Sequence, residues 1–515
     1  MDVIENLRYG FSVALTEQNF LYCLVGALLG TVVGVLPGMN PVIVISVLLP
    51  LTFKMPAAAA LIMLAGIYYG SHHSGSTCAI MLNMPGEPSS LVICLDGHPM
   101  ARQGRAGPAL CVAALSSFFA GCVCIVLIAL FSPPIVRAAL QFQAPEYTAV
   151  VLLALIGSSA LSGKALISTL GMATVGLLMG TVGTDINSGV MRFTFGEAKL
   201  SEGLDFVAVA VGLFAMTEIA FRLGKPEQRA TVTAQARDLM PHADDLKRSW
   251  KPTLRGTAIG AALGMLPGTG PLIAAFAAYG VERKLAKDPS RFGQGAIEGV
   301  AGPEAADNAS AFTHFIPMLT LGIPAGATFA LLLGAMMLQG VQPGPELMSQ
   351  HPDLFWGLIA SMWIGNLMLL VLNLPLVGIW IKLLQIPYRF LYPTILVFSC
   401  IGVYSIRNEP LDIVIAAGTG LVGFMLRSWD CAPAPLILGL ILGPIMEENL
   451  RRSLLLSGGN PSIFVERPIS LSILLFTAAL MAFLVLPALR RRGRAPAPLA
   501  KDHAKEPRVA SVSRH

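Results

Sequence analysis

Uncharged apolar runs recur along the chain at 109–131, 147–163, 165–183, 354–381 and 471–489. Each approaches or exceeds the roughly 17–25 residues that a helix needs to cross a bilayer. On this criterion the pattern predicts about ten to twelve crossings. Between the runs lie short stretches that no membrane helix should tolerate, such as LNMPGEPSS at 82–90. The pattern therefore predicts an all-α polytopic membrane protein in which some helices are broken or re-entrant.

Composition agrees with this reading. Hydrophobic residues make up 54% of the chain and charged residues 13%, with a mean hydropathy of +0.68, against about a quarter charged in soluble domains. The amino terminus, MDVIENLRYG, has neither a basic n-region nor a small-residue cleavage site before its first apolar run. The first hydrophobic segment is thus expected to stay as an anchor. The cysteines show no CxxC pair and read as packing residues. Charge collects in two places: residues 222–255 carry eight Lys or Arg against four Asp or Glu, and residues 490–515 carry eight against two. Both segments are expected on the cytoplasmic side, beside anionic lipid rather than nucleic acid.

The chain is written twice. GVLPGMNP at 34–41 returns as GMLPGTGP at 264–271, and 264 − 34 = 230. LNMPGEPSS at 82–90 corresponds to LGIPAGATF at 321–329, and ARQGRAGPAL at 101–110 to LQGVQPGPEL at 338–347. Ordered matches of this kind mark a duplication. They predict a first transmembrane repeat over 1–223, a basic cytoplasmic linker over 224–255 and a second repeat over 256–455. A final helix over 456–489 and a basic cytoplasmic tail over 490–515 follow. Arg102 and Arg105 follow the first PGEP break, whereas the equivalent loop 341–353 carries Glu346 and Asp353 but no Lys or Arg. Opposite charge bias in equivalent loops predicts that the repeats are inverted.

Proline removes a donor and glycine admits backbone conformations closed to other residues, so P-G-x-x-P stops a helix. Unpaired backbone is costly in hydrocarbon and must be buried in protein or line a wet cavity. The segment 256–280 has basic residues on both flanks and arms of roughly ten residues beside PGTGP, too short to cross about 30 Å of hydrocarbon. This predicts a re-entrant hairpin with Pro267 to Pro271 at its tip, and Pro37 to Pro41 at the tip of its partner. Pro37, Gly38 and Asn40, with Gly268 and Thr269, are accordingly candidate binding residues. In the second pair of breaks the candidates are Asn83, Pro85, Gly86, Glu87 and Ser89, and then Thr320, Pro324 and Thr328.

Two polar stretches adjoin the breaks. YYGSHHSGST at 68–77 contributes Ser74, Gly75 and Ser76, and GPEAADNAS at 302–310 contributes Glu304, Asp307 and Asn308. Glu304 and Asp307, three apart, would share a helix face and could bind a proton or a sodium ion; an exposed acidic turn is the competing reading. His72 and His73 are adjacent, so they do not share a face, and no zinc spacing follows. They read as cavity lining or packing. No cofactor is expected, and no metal beyond a coupling sodium ion.

These motifs, together with LTFKMPAAAALIMLAGIYYGS at 51–71, EGVAGPEAADNAS at 298–310 and LTLGIPAGATFALLLGA at 319–335, resemble the large permease subunit of the bacterial tripartite tricarboxylate transporters, the TctA family. The resemblance covers roughly residues 15 to 455. It implies a secondary permease of the bacterial inner membrane, multi-pass with a cytoplasmic C-terminus and coupled to Na⁺ or H⁺. The partners it implies are a small four-helix membrane subunit and a periplasmic solute-binding protein that delivers the carboxylate substrate. Where the family commonly reads PEAANNAA and GIPGS, this chain has Asp307 beside Asn308 and Ala325 beside Gly326, and His72 and His73 stand where tyrosine and glycine are frequent. A self-sufficient carboxylate symporter is the competing transport reading. An intramembrane enzyme is disfavoured, since no nucleophile and base can be assembled from the sequence.

Overall fold

A computed structural model describes residues 3–36, 39–160, 166–185, 188–222, 240–266, 270–383 and 388–492. Pro37, Gly38, Pro267, Gly268 and Thr269, half of the basic linker (224–239) and nearly all of the basic tail lie outside the described residues. Elsewhere the chain is almost wholly helical. A two-residue antiparallel pair sets Gly183 opposite Arg192 and Thr184 opposite Met191. Among the described residues, Glu17–Val35, Ala106–Ala139, Pro352–Asn373 and Pro410–Ser428 are long and apolar enough to cross a membrane. The run 109–131 falls inside Ala106–Ala139, 147–163 begins within Ala144–Ala160, and 471–489 lies in Pro468–Arg492. The run 354–381 is divided between Pro352–Asn373 and Val377–Leu383.

One succession of elements occurs on both sides of the basic segment. First come Glu17–Val35, an interruption, Pro41–Thr52, the long Ala57–Leu82, a break, Leu91–Arg102 and Ala106–Ala139. Later come Ala243–Gly264, an interruption, Gly270–Leu285, Glu298–Thr313 running on into Phe315–Leu321, a break, Ala327–Leu338 and Pro352–Asn373. The second helix of the first half starts where local chemistry dictates. Asn40 accepts a hydrogen bond from the Val42 N–H at 3.0 Å, and Pro41 follows at the first helical position, where its missing donor costs nothing.

Glycine sets the packing of each opening arm. Gly26, Gly30 and Gly34 recur every four residues on Glu17–Val35 and press against the backbone of Met63, Gly66–Ile67 and Ser71 on Ala57–Leu82. Gly256, Gly260 and Gly264 do the same against Gly302, Ala306 and Ser310 on Glu298–Thr313. The spacing is conserved between halves: 256 − 26, 260 − 30 and 264 − 34 all equal 230. A β-carbon at any of these positions would collide with a carbonyl group of the facing helix, so only glycine allows helices this close. The helices they meet are enclosed, every residue from Ala59 to Met81 and from Gly299 to Thr313 being buried.

Ala243–Gly264 and Gly270–Leu285 form a hairpin. Arg255 on the first arm donates to Glu282 on the second from Nε (2.7 Å) and Nη2 (2.5 Å). The first arm differs from the sequence expectation of about ten residues. It is 22 residues long and starts at Ala243, capped by reciprocal bonds between His242 and Asp245. Its two arginines have carboxylate partners that hold them in the helix: Arg248 meets Glu298 at 2.8 Å, and Arg255 meets Glu282. Beyond Arg255 only nine residues, 256 to 264, remain before the helix ends.

The halves are tied together at several points. Asp96, fully buried, accepts N–H bonds from Gly293, Gly295 and Ala296 at 2.8, 2.9 and 2.8 Å on one oxygen, and the Tyr279 hydroxyl at 3.0 Å on the other. Arg105 pairs with Asp245, Ser116 with Thr253 at 2.8 Å, and the Gln339 amide donates to the Thr52 carbonyl at 2.5 Å. Tyr69 stacks on Phe312 with ring centroids 5.2 Å apart. The core of the molecule is therefore shared between the halves.

Candidate functional site

Four chain restarts face one cavity of about 200 Å³. Asn40, Pro41 and Val42 open Pro41–Thr52; Glu87, Pro88 and Ser89 lead into Leu91–Arg102; Gly270, Pro271 and Leu272 open Gly270–Leu285; and Gly326, Ala327 and Thr328 open Ala327–Leu338. Tyr68 and His72 from the long helix Ala57–Leu82, with His314 and Phe329, complete the wall. A helix start leaves N–H groups without intrahelical partners and concentrates roughly half a positive charge. Four of them surround this space, two from each half.

The breaks that create the restarts are built alike. Ala57–Leu82 ends on Asn83 (φ 55°, ψ 30°) and Phe315–Leu321 on Gly322 (φ 69°, ψ 24°), both left-handed. In each case proline follows two residues later, at Pro85 and Pro324, and 322 − 83 and 324 − 85 both equal 239. A left-handed residue closes a helix and the proline prevents its continuation. In the first half the chain restarts through a capping box, in which the Glu87 side chain accepts from the Ser90 N–H while Ser90 Oγ accepts from the Glu87 N–H at 3.2 Å.

Behind the wall lies a buried polar cluster. His72 Nδ1 is 3.0 Å from Asp307 Oδ1, and Ser89 Oγ is 3.5 Å from the same nitrogen. Ser71 donates to Glu87 Oε1 at 2.9 Å. Ser117 donates to Glu304 Oε1 at 2.6 Å, and the Asn308 amide reaches Ser117 Oγ at 2.8 Å and Glu304 Oε1 at 3.2 Å. Glu304 is 0% exposed, Asp307 1%, Glu87 4% and His72 6%, so three carboxyl groups and an imidazole share a low-dielectric interior. Glu304 Oε2, Asp307 Oδ2, Asn308 Oδ1 and His314 Nε2 have no hydrogen-bond partner. Such a cluster can take up a cation or a proton, since each orphaned oxygen is an acceptor.

Of the candidate residues, Asn40, Glu87, Ser89 and Thr328 line the cavity. Glu304, Asp307 and Asn308 lie in the helix Glu298–Thr313, buried on every side, so the exposed-turn reading does not hold. Ser76 reaches the Glu304 carboxyl from the facing helix. Other candidates shape backbone instead. Ser74 donates to the Gly70 carbonyl at 2.8 Å and Thr320 to that of Ile316 at 2.7 Å. Gly75 lies against Glu87, and Gly86 against the Gly34 carbonyl where no side chain fits. Pro324 is buried in its break and Pro85 half-buried. Asn83 is exposed and contributes its backbone turn, not an amide in the cavity. Pro37, Gly38, Gly268 and Thr269 lie outside the described residues.

Sequence reasoning missed Tyr68, Ser117 and His314 as members of the site, and read His72 only as cavity lining or packing, without its bond to Asp307. One signal was available for Tyr68 and His72: Tyr68, Ser71, His72, Gly75 and Ser76 recur at three- and four-residue spacing, which marks a single polar face on a helix. His73 turns away from that face and has no partner on either ring nitrogen.

Residues 20–438 match the family described as the tripartite tricarboxylate transporter TctA family. Over 492 residues, 96% of this chain and 98% of its relative, the chain is 51% identical to an Agrobacterium vitis protein described as an uncharacterized 52.8 kDa protein in the TAR-I ttuC' 3' region. A second Agrobacterium vitis protein, described as an uncharacterized protein in the TAR-II ttuC' 3' region, is 52% identical over 233 residues, 45% of this chain and 96% of that one. No solved structure matches the chain.

Proposed function

The chain belongs to the tripartite tricarboxylate transporter TctA family, and from that premise we propose that it is the large permease subunit of a cation-coupled importer of di- and tricarboxylates. The observation that carries this reading is the meeting of four helix starts around one cavity between the halves. A carboxylate placed there meets the positive ends of four helix dipoles, each worth up to about 2 kcal/mol in a partly buried setting, and accepts N–H bonds where a start has no side-chain cap of its own. Among the described residues the lining contains no Lys or Arg. Backbone dipoles without a fixed cation suit a transporter, because the anion must leave as readily as it enters.

The duplicated order of elements fits an inverted repeat, with one hairpin reaching the cavity from each side of the membrane and alternating access produced by movement of these parts. The domain limits 1–223, 224–255, 256–455, 456–489 and 490–515 belong to the same proposal, as does a cytoplasmic C-terminus in a bacterial inner membrane. Glu87, Asp307 and Glu304 supply negative charge that a co-transported cation, H⁺ or Na⁺, would neutralise. The partners are a small four-helix membrane subunit and a periplasmic solute-binding protein that hands over the carboxylate.

Labelled citrate and succinate uptake into proteoliposomes tests this reading, with the chain co-reconstituted with a small four-helix membrane subunit and a periplasmic solute-binding protein of the family. Accumulation that requires all three proteins and an imposed cation gradient is expected. Failure of every carboxylate to accumulate would overturn the reading, and accumulation with this chain alone would replace it by a self-sufficient symporter.

A further inference from the structure

We infer that the cation moved with the carboxylate is a proton, and that this chain binds it in the buried His72–Asp307–Glu304 cluster, with His72 as the group that connects the cluster to the cavity. The inference rests on the carboxylate-permease reading above and deepens it.

Charge balance gives the first argument. Glu87 lines the cavity, and Asp307 and Glu304 lie directly behind it, all at least nine-tenths buried. No Lys or Arg among the described residues is bonded to any of the three. With all three ionised and His72 cationic, the interior would hold two net negative charges where an anion has to enter. Carboxylate binding therefore requires that positive charge be taken up, and by linkage the carboxylate in turn strengthens binding of that charge.

The choice of proton follows from the pattern of orphaned atoms. Glu304 Oε2, Asp307 Oδ2 and Asn308 Oδ1 sit at i, i+3 and i+4 on one helix and all are acceptors without donors. Protonating one carboxyl converts an acceptor into a donor, which a cluster made only of acceptors otherwise lacks. The other carboxylate oxygens are engaged: Asp307 Oδ1 with His72, Glu87 Oε1 with Ser71, and Glu304 Oε1 with Ser117 and Asn308.

His72 connects the two compartments. Its Nδ1 faces Asp307, its ring packs edge-on against Tyr68 at 4.7 Å, and the residue lines the cavity. A proton arriving from cavity water at Nε2 lets the imidazole pass its Nδ1 proton to the Asp307–Glu304 carboxyl pair, after which the neutral ring offers its Nε2–H to a bound carboxylate. No bond in the substrate is made or broken. The titratable groups around it are Tyr68 on its own helix, Glu87 at the first break, Asp307 and Glu304 on Glu298–Thr313, and His314, whose Nδ1 lies 3.4 Å from the Tyr68 hydroxyl. From Pro41–Thr52, Gly270–Leu285 and Ala327–Leu338, the residues facing the cavity carry no titratable side chain.

Infrared difference spectroscopy of the full chain in lipid nanodiscs, stepped between acid and alkaline pH, tests the site without requiring transport. The expected result is a carbonyl band of a protonated carboxyl group that titrates with pH and does not move when sodium chloride replaces choline chloride. It should be lost in Glu304→Gln and shifted in His72→Gln, while Asp307→Glu retains it. A band that moves on sodium addition, or no titrating carboxyl band in the wild-type chain, would overturn the inference in favour of sodium or of no coupling site here. Citrate and succinate uptake separates the two levels. A sodium-sensitive band with intact uptake defeats the proton and leaves the permease, whereas a pH-titrating band without vectorial movement of either carboxylate defeats the permease and leaves the proton site.

Discussion

Asn83 and Gly322, 239 positions apart, hold the same left-handed backbone at the ends of helices that enter the cavity wall from opposite halves. Glycine adopts this conformation freely, and asparagine is the side chain that tolerates it best. The two breaks are thus one device installed twice, and each can be probed without touching the cavity. Gly322→Ala should destabilise the chain by about 1–2 kcal/mol, whereas Asn83→Gly should be neutral or slightly stabilising. A thiol-reactive dye gives the unfolding curve in detergent, because five of the eight free cysteines are buried until the chain opens. Equal losses in both variants would show that the left-handed turn does not set the break.

Gly260 meets the Ala306 carbonyl with no room for a β-carbon. Gly260→Val should cost about 3 kcal/mol, at the upper end of overpacking effects, because rigid helix backbone cannot move aside. Gly30→Val, its counterpart 230 positions earlier, should cost a comparable amount. Gly280, with open space where a side chain would go, is the control: Gly280→Ala should hold or raise the unfolding temperature.

Asp96 satisfies three backbone N–H groups and a tyrosine hydroxyl from the other half. Asp96→Ala strands these donors in a buried place and should cost at least about 3 kcal/mol. Asp96→Asn keeps one acceptor oxygen and should retain a substantial part of that stability. The same thiol-dye unfolding curves decide it.

Arg255 and Glu282 close the open end of the second hairpin, with Glu282 3% exposed and Arg255 37%. Removing the arginine leaves a buried carboxylate, and the half-exposed partner moderates the loss to about 2 kcal/mol. A double-mutant cycle with Arg255→Met and Glu282→Met should return a coupling of that order, and the double variant should be more stable than Arg255→Met alone.

Thr328, at the fourth helix start, lines the cavity. Thr328→Val keeps the shape and deletes the hydroxyl. The half-saturating citrate or succinate concentration should rise by about tenfold, corresponding to roughly 1.4 kcal/mol, with little change in the unfolding temperature. An unchanged concentration dependence would place the substrate away from this helix start.

Read from sequence alone, the chain already shows its class, its breaks and its duplication. Hydropathy needs only contiguous residues, P-G-x-x-P acts on the backbone within one turn, and GVLPGMNP returning as GMLPGTGP is visible without any fold. The shared helical face of Glu304 and Asp307 was equally legible, because helical periodicity is local. What only the tertiary structure decided is which residues meet. His72 reaches Asp307 across 235 positions, Ser117 reaches Glu304 across 187, and Asp96 holds backbone some 200 positions away. The length of the first hairpin arm was likewise hidden, since a run rich in Lys and Arg reads as a linker until Glu298 and Glu282 are seen beside it. The physical reason is the same throughout: local chemistry fixes where a helix starts and stops, whereas pairing between distant side chains is set by how close glycine allows two backbones to come.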